Sequence, residues 1–491
     1  MKIKSIISFI ITPLAGLFII MFSGIAPDNP KIVYTMAISL LMAVWWITEI
    51  VPLAVTSLIP VALFPLLGVM DGKDVSSAYF NDVIFLFMGG FMIALAMQKW
   101  DLHKRMALYI LRLTGTSPAR ILLGFMLSTA FLSMWISNTA TVMMMLPILL
   151  SIIYKLEEQM GKIAMEKFSV GLLLGVAYSA SIGGVATLVG TPPNLSLVRI
   201  YHINFPDAAD ISFAVWFIFA VPFTLVFLAI VWFYLYKTLG PLKNQWTETD
   251  RSIFSMELKL MGKAKAEEKI ILIVFITTTV LWLFRADLMI GSFNIRGWAN
   301  LLPESKYIND GTIAIFMALL LFIIPSRQTK GTNILDWHTA SKIPWHILLL
   351  FGGGFALASA IKESGLSLWF GQQLIFITSY HVIIIIFCIS LIMTFLTELT
   401  SNTATTEMVL PILAGISIQT NINPLLLMVP ATLSASMAFM LPVATPPNAI
   451  IFGTSRISIA QMAKAGLILN ILGAILITLF TYFWGPYVFI K

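Results

Sequence analysis

The chain has 491 residues, of which 59% are hydrophobic and 11% charged, with a formal net charge of +7. Soluble domains are closer to half apolar and a quarter charged, so this composition excludes a water-soluble protein and requires a lipid environment. The single cysteine, Cys388, excludes an intrachain disulfide, and the absence of HExxH and CxxC patterns argues against a metalloenzyme. The basic charge is attributed to loops that orient the chain in a membrane, not to a nucleic-acid partner.

A transmembrane helix needs about 20 mainly apolar residues. The first apolar segment is that long and many others follow it, so it is interpreted as a span and not as a signal peptide. Eleven spans are predicted, near residues 5–24, 32–50, 54–70, 83–99, 168–189, 212–236, 270–286, 310–325, 344–361, 424–442 and 466–488. Two further apolar stretches, 119–150 and 382–418, do not fit as simple spans. The predicted fold class is an all-α polytopic membrane protein.

The distribution of basic residues predicts an orientation. With the N-terminus in the cytoplasm, and with both odd stretches treated as hairpins that return to their own side, 22 of the 30 Lys and Arg residues lie inside. Because Lys and Arg favour cytoplasmic loops, this bias supports the assignment. It predicts a cell-membrane protein whose N-terminus is cytoplasmic and whose C-terminus is outside.

Three sequence motifs occur twice in the chain. FLFMGGFMIALAM at 85–97 resembles LLFGGGFALASAI at 349–361, and SNTAT occurs at 137–141 and again at 401–405; both pairs are 264 positions apart. GTPPN at 190–194 recurs as ATPPN at 444–448, 254 positions later. Each copy contains five predicted spans and a hairpin. An odd number of spans turns the second copy upside down, and inverted repeats are typical of secondary transporters.

This repeat predicts the domain organisation. An N-terminal transmembrane helix occupies residues 1–31, and the first inverted repeat occupies 32–236 with its re-entrant hairpin at 119–150. A charged cytoplasmic linker follows at 237–269. The second inverted repeat occupies 270–491 with its hairpin at 382–418.

The first hairpin has Ser137, Asn138 and Thr139 near its middle. Its 32 residues are too few for two full spans, because each arm of about 16 residues makes roughly 24 Å of helix. Polar backbone at that depth is tolerated only where it lines a cavity within the protein. The length argument is weaker for the longer second hairpin, where the repeat supports the same interpretation.

The Thr-Pro-Pro sequences at 191–193 and 445–447 predict broken helices. Adjacent prolines cannot continue a helix but suit its first turn, so helices should end before Thr191 and Thr445 and restart there. Helix N-termini attract carboxylates, and unwound carbonyls attract a hard cation. Ser133 and Ser137 share one helical face, as do Thr397 and Ser401. Such neutral oxygens favour a monovalent cation over Mg²⁺ or Ca²⁺. For any one motif alone, ordinary hydrogen bonding between helices or a simple proline kink explains the residues equally well.

The paired SNTAT and TPPN motifs, together with WWITEIVP at 45–52 and MLPVATPPNAIIFG at 440–453, resemble the divalent anion/sodium symporter family. The likeness covers nearly the whole chain and is closest to bacterial sodium-coupled carriers of succinate, fumarate and malate. It implies a homodimer that works by an elevator mechanism, in which a transport domain slides against a scaffold domain. It also implies sodium as the coupling ion, with two or more ions per cycle, and no enzymatic activity.

The resemblance also implies the site residues. One sodium ion would be held by Ser133, Ser137, Asn138 and Gly190, and a second by Thr397, Ser401, Asn402 and Ala444. The substrate would contact Asn138, Thr139, Thr191, Asn402, Thr403 and Thr445.

Other functions of the same fold stay open. One is a sodium-independent dicarboxylate exchanger, for which Lys or His is expected beside the hairpin turns at 137–139 and 401–403, called the SNT turns below. The other is a citrate or sulfate symporter. An anion channel or a membrane enzyme finds no supporting residues. Glu407 departs from the expected neutral residue and is either functional or exposed to water at the hairpin flank. Glu49 is interpreted as a capping or interfacial residue.

Overall fold

The computed structural model describes residues 3–22, 24–241, 252–290 and 293–489. The helices before residue 242 are α1 (Ile3–Phe22), α2 (Pro30–Thr48), α3 (Leu53–Thr56), α4 (Ile59–Leu66), α5 (Gly72–Ser77), α6 (Asp82–Lys99), α7 (Leu102–Thr114), α8 (Pro118–Ser133), α9 (Asn138–Met160), α10 (Lys162–Val185), α11 (Pro192–Asn204) and α12 (Phe213–Leu239).

The helices after residue 251 are α13 (Ser252–Leu260), α14 (Ala266–Leu283), α15 (Asp310–Ile323), α16 (Trp337–Ala340), α17 (Trp345–Ser364), α18 (Leu366–Gln373), α19 (Val382–Thr397), α20 (Asn402–Thr420), α21 (Pro424–Ala435), α22 (Pro446–Phe452), α23 (Ile459–Leu479) and α24 (Gly485–Phe489). Short 3₁₀ helices lie at Trp298–Leu301, Ser305–Tyr307 and Ile375–Ser379, and a π-helical turn lies at Phe480–Trp484. Strands β1 (Leu288–Ile290) and β2 (Phe293–Ile295) form one antiparallel hairpin.

Seven of the described helical segments are long and apolar enough to cross a membrane. They are Pro30–Thr48, Gly72–Lys99, Asn138–Met160, Lys162–Gly184, Phe213–Leu239, Trp345–Ser364 and Ile459–Phe489. Several shorter apolar helices accompany them, including α8, α15, α19 and α21. The prediction of a helical, multi-pass membrane protein is confirmed, while the number of eleven spans stays a prediction.

The structure differs from the sequence-based prediction at several element boundaries. The segment predicted as a span at 54–70 forms the two short helices α3 and α4, because Pro60 begins a new helix directly after the Ser57–Leu58 break. The predicted hairpin at 119–150 is longer, since α9 continues to Met160. The charged segment 155–168, between the predicted hairpin and the next predicted span, is almost entirely helical and is interrupted only at Gly161, whose φ of 87° suits glycine.

The predicted linker at 237–269 contains helical structure at both of its described ends. Helix α12 continues to Leu239, α13 occupies Ser252–Leu260, and α14 begins at Ala266. Residues 242–251 of this prediction lie outside the described residues.

Helix α10 is the centre of the fold. Nearly every residue from Phe168 to Val189 is buried, including the small residues Gly175 and Gly183, which allow close approach of α8. A Cβ at position 183 would lie 2.2 Å from the Ala130 carbonyl oxygen. Helix α10 contacts α8, α9, α12 and α22, so other helices pack against it up to the point where the chain unwinds.

Candidate functional site

Two hairpins and two broken helices meet at one cavity of about 780 Å³. The hairpins are α8–α9 and α19–α20, and the broken helices are α10–α11 and α21–α22. The six residues predicted to contact the substrate all line the wall of this cavity: Asn138, Thr139, Thr191, Asn402, Thr403 and Thr445. Six predicted sodium ligands line the same wall: Ser137, Asn138, Gly190, Ser401, Asn402 and Ala444.

The first hairpin turn is held by hydroxyl groups. Helix α8 ends at Ser133, and the Ser137 side chain caps α9 by accepting a hydrogen bond from the Ala140 amide at 3.3 Å. The fully buried Ser133 hydroxyl donates to the Asn138 side-chain oxygen at 2.6 Å. Ser133 therefore lies behind the cavity wall and orients the amide oxygen of a residue that lines it.

The second hairpin turn repeats this arrangement with a threonine. The fully buried Thr397 hydroxyl lies 2.8 Å from the Asn402 side-chain oxygen and 2.9 Å from the Ala435 carbonyl oxygen at the end of α21. Ser133 and Thr397 are 264 positions apart, as are Asn138 and Asn402, so the two hydroxyl–amide pairs occupy equivalent positions relative to the two SNTAT motifs. Ser133 and Thr397, both predicted as sodium ligands, are therefore buried and do not line the cavity themselves, but each contacts an asparagine that does.

The helix breaks are each bridged by the asparagine that closes the TPPN motif. The Asn194 amide nitrogen donates to the Gly184 and Thr187 carbonyl oxygens at 3.4 and 2.7 Å. The Asn448 amide nitrogen donates to the Ala438 and Leu441 carbonyl oxygens, each at 3.1 Å. These bonds satisfy carbonyl groups that the end of a helix leaves free.

Each residue that forms a bridging bond in the first break lies 254 positions before its counterpart in the second break, which is also the spacing of the two TPPN motifs. Sequence reasoning quoted both asparagines within the motif but assigned them no role. The signal that could have identified them is their position, since each directly follows a proline pair that must leave nearby carbonyls unpaired.

Glycine allows close packing beside the first turn. A Cβ at Gly184 would lie 2.5 Å from the Asn138 side-chain oxygen and 3.1 Å from the Gly190 carbonyl oxygen. Only a residue without a side chain can pack this closely against the two oxygens. No cluster of three or more His, Cys, Asp or Glu side chains suited to a metal ion occurs in the described residues. The oxygens present are neutral, which fits Na⁺ better than Mg²⁺ or Ca²⁺.

Glu398 is a buried residue to which the sequence analysis assigned no role. Its side chain is 3% exposed and accepts hydrogen bonds from the Phe439, Met440 and Leu441 backbone amides at 2.7, 2.8 and 3.0 Å. The Asn470 side chain donates a fourth bond at 2.7 Å. These bonds attach the second hairpin turn to the unwound segment after α21, which explains why the span predicted at 424–442 ends as a helix at Ala435.

Two exposed ionisable residues also line the cavity. Glu49 caps α2 in a left-handed conformation (φ 47°), so its interpretation as a cap agrees with the structure, but its contribution to the cavity wall was missed. His346, at the start of α17, lines the cavity as well. It was missed because it lies far from both SNT turns in sequence.

The interpretation of Glu407 as a water-exposed residue is wrong. Its side chain is fully buried between α11, α17 and α20. One carboxyl oxygen accepts a hydrogen bond from the Ser196 hydroxyl, and the other packs against Gly354.

Comparisons with known proteins agree with this arrangement. The sequence profile described as the sodium:sulfate symporter transmembrane region matches residues 4–490. The sodium-dependent dicarboxylate transporter SdcS of Staphylococcus saprophyticus is 44% identical over 492 residues, which cover 99% of this chain and 92% of the relative. The protein of the same name from Staphylococcus aureus strain USA300 is 44% identical over 489 residues, covering 98% and 92%.

Two solved structures share the fold at low sequence identity. The Alcanivorax borkumensis YdaH transporter has a TM-score of 0.54 and 14% identity, covering 84% of this chain and 86% of its own. Neisseria gonorrhoeae MtrF, described as illuminating a class of antimetabolite efflux pumps, has a TM-score of 0.55 and 13% identity, covering 84% and 82%. These likenesses establish the fold alone.

The profile match and the identity both extend over nearly the whole chain, and they agree with the resemblance predicted from the paired motifs. The chain therefore belongs to the sodium:sulfate symporter family, a family of membrane transporters and not of enzymes.

Proposed function

We propose that this protein is a secondary active transporter that couples the uptake of a C4-dicarboxylate, such as succinate, fumarate or malate, to the sodium gradient. The observation that carries the proposal is the pair of hydroxyl–amide contacts behind one cavity wall, Ser133 with Asn138 and Thr397 with Asn402. The names of the 44% identical relatives support both the ion and the substrate class.

Sodium is the co-transported ion in this proposal, bound at two or more sites. The first site consists of Ser133, Ser137, Asn138 and the Gly190 carbonyl, and Gly184 packs closely against the oxygens of Asn138 and Gly190. The second consists of the equivalent residues Thr397, Ser401, Asn402 and Ala444. Two sodium ions balance the charge of one dianion, whereas a third would make transport electrogenic.

The dianion is proposed to bind between the two SNT turns. Asn138, Thr139, Asn402 and Thr403 present side-chain donors, and Thr191 and Thr445 precede the N-termini of α11 and α22. The positive dipole ends of these two helices attract carboxylates, while the proline pairs that begin them have no N–H groups to donate. Among the described residues of the cavity wall, His346 is the only basic side chain, so fixed cations of the kind an exchanger needs are not found at the turns. This composition favours sodium coupling over sodium-independent exchange.

The proposed architecture has two inverted repeats, at 32–236 and 270–491, in a homodimer of the cell membrane that works by an elevator mechanism. The recurrence of the same bonds at the SNT turns and at the TPPN breaks supports the repeat. The family resemblance supports the homodimer and the sliding transport domain. The N-terminus would lie in the cytoplasm and the C-terminus outside.

Substitution of the two amide side chains tests the proposal. Asn138→Ala and Asn402→Ala should each reduce sodium-driven succinate uptake into proteoliposomes by roughly 10- to 150-fold, because each loses a hydrogen bond to a charged group worth about 1.5–3 kcal/mol. Asn300→Ala, which removes an exposed amide bonded to Asp287, serves as the matched control. Near-normal uptake by either site variant would refute the assignment of these residues.

A further inference from the structure

Glu407 occupies a closed site between three helices. Its carboxyl group lies beside Ser196 of α11 and Gly354 of α17, and the side chain has no exposed surface. A Cβ at position 354 would lie 2.1 Å from one carboxyl oxygen, so glycine is required there for the carboxyl group to fit. That same oxygen is buried without a hydrogen-bond partner. The site is therefore closely built around a carboxyl group that is only half satisfied.

Glu398, in the same hairpin, shows what a buried carboxylate receives elsewhere in this protein. It accepts four hydrogen bonds, three from backbone amides and one from Asn470. Glu407 accepts one bond, from the Ser196 hydroxyl. Burying an ionised carboxylate without compensating donors or a counter-charge is strongly unfavourable. The two glutamates therefore occupy opposite kinds of environment, one suited to a charged carboxylate and one to a neutral acid.

No counter-charge reaches Glu407 from the helices packed around it. No ion pair found among the described residues involves it. Among the other elements that pack on α20, helices α18 and α21 and the 3₁₀ helix Ile375–Ser379 carry no titratable side chain, and α19 carries only Cys388. Helix α2 carries Tyr34 and Lys31, whose amine donates to the Val69 carbonyl oxygen at 3.5 Å. The titratable groups of α11 and α17 are Arg199, Tyr201, His202, His346, Lys362 and Glu363.

Most of these groups have other partners. Arg199 lies 3.7 Å from Asp82, and His202 lies 3.4 Å from Asp210. Lys362 donates to the Ile203 carbonyl oxygen. His346 lines the cavity, while Glu363 is itself acidic and cannot neutralise a second carboxylate. The positive charge that balances Glu407 must therefore come from a bound proton or ion and not from a side chain.

The hydrogen-bond geometry favours a proton. The Ser196 hydroxyl oxygen lies 3.4 Å from the Pro192 carbonyl oxygen of its own helix. If the carboxyl group is protonated, it can donate to Ser196, which in turn donates to Pro192. If it is ionised, the single Ser196 proton must turn to Glu407 and the bond to Pro192 is lost. The protonated form thus makes one bond more, while carrying no buried charge.

We propose that Glu407 is a proton-binding site, in which the carboxyl group stays protonated between α11, α17 and α20. Helices α11 and α20 both begin at the cavity, where Thr191, Asn402 and Thr403 lie at their N-terminal ends. Glu407 of α20 contacts α11 through Ser196, so its carboxyl group lies between two helices that also line the cavity. The bound proton removes a negative charge that would otherwise repel a dianion. This consequence for anion binding rests on the proposed function, but the protonation state does not.

Infrared difference spectroscopy of the full-length protein in detergent tests the protonation state. The spectrum of wild type minus Glu407→Gln at neutral pH should contain the C=O stretching band of a protonated carboxylic acid, and this band should shift in D₂O. In the Ser196→Ala background the band should move, because the acid loses its only bonding partner. A difference spectrum that contains only the bands of an ionised carboxylate would overturn the proposal. The corresponding Glu398→Gln difference should show those carboxylate bands and no acid band.

Binding of succinate then tests the consequence. At alkaline pH values where the acid band disappears, wild-type affinity in saturating sodium should fall by about 5-fold or more relative to Glu407→Gln. Substrate protonation cancels because both proteins are compared at each pH. Equal pH profiles would refute the influence of Glu407 on the anion site. If neither protein bound succinate at any pH, the proposed function would fail while the infrared result would still decide the protonation of Glu407.

Discussion

The proposed first sodium site includes the Asn138 side-chain oxygen, against which Gly184 packs closely. We expect Gly184→Ala to weaken sodium binding, because its methyl group would lie 2.5 Å from the Asn138 side-chain oxygen. Overpacking of this kind costs about 1–3 kcal/mol, which corresponds to a roughly 5- to 150-fold higher sodium concentration for half-maximal succinate binding. The measurement is a sodium titration at fixed succinate.

Gly72→Ala is the matched control for this substitution, since a Cβ there would meet only the Pro65 side chain at 3.7 Å. The control should behave as wild type. An unchanged sodium requirement in Gly184→Ala would mean that the Asn138 and Gly190 oxygens do not hold the ion.

At the scale of single residues, the sequence alone could predict which side chains surround the cavity. The predicted residues were found by two motifs that recur at consistent spacings, and the motif resemblance added their roles. His346 and Glu49 could not be predicted as wall residues, because they approach the cavity only through the packing of α17 and α2. Burial of Glu407 was equally unpredictable, since it depends on Gly354 of a helix more than fifty positions earlier.

At the scale of elements, the second hairpin is attached to its neighbours through Glu398. We expect Glu398→Gln to lower the thermal unfolding midpoint, because an amide group cannot accept all four hydrogen bonds, and each buried donor left unpaired costs about 1–3 kcal/mol. The measurement is thermal unfolding in detergent. Glu304→Gln, at an exposed position, should leave the midpoint unchanged. An unfolding midpoint equal to that of wild type would show that these bonds contribute nothing to the attachment.

The sequence predicted the kinds of elements better than their lengths. The 16-residue arm α8 and the restarts at Pro192 and Pro446 follow from apolar length and proline chemistry. The equal length of α19 could not be predicted in this way, and only the repeat indicated a second hairpin there. The continuation of α9 to Met160 was missed, because the hairpin was bounded by its apolar residues and charged residues such as Glu157 extend the helix beyond them. Glu157 is paired with Arg456 at 2.5 Å, a contact that no local pattern reveals.

At the scale of the whole molecule, the proposed inverted topology predicts that the two hairpins open to opposite sides of the membrane. In a Cys388→Ala background, Tyr380→Cys should react with a membrane-impermeant maleimide added outside cells. Lys162→Cys should react only after the membrane is permeabilised. Both positions are exposed, so accessibility within the protein does not decide the result. Labelling of both from the same side would contradict the inverted repeats.

Sodium coupling is the central claim, and it follows from the sharing of Asn138 and Asn402 between the proposed cation and anion sites. Without sodium, a buried dianion would be compensated mainly by helix N-termini, so sodium and succinate must strengthen each other's binding reciprocally.

The most direct measurement is calorimetric binding of succinate to the purified protein in mixtures of sodium and potassium at constant ionic strength. A typical coupling of about 1–3 kcal/mol predicts that succinate binds roughly 5- to 150-fold more tightly in sodium than in potassium. Equal affinity for succinate in the two salts would contradict the proposed symport and would favour sodium-independent exchange.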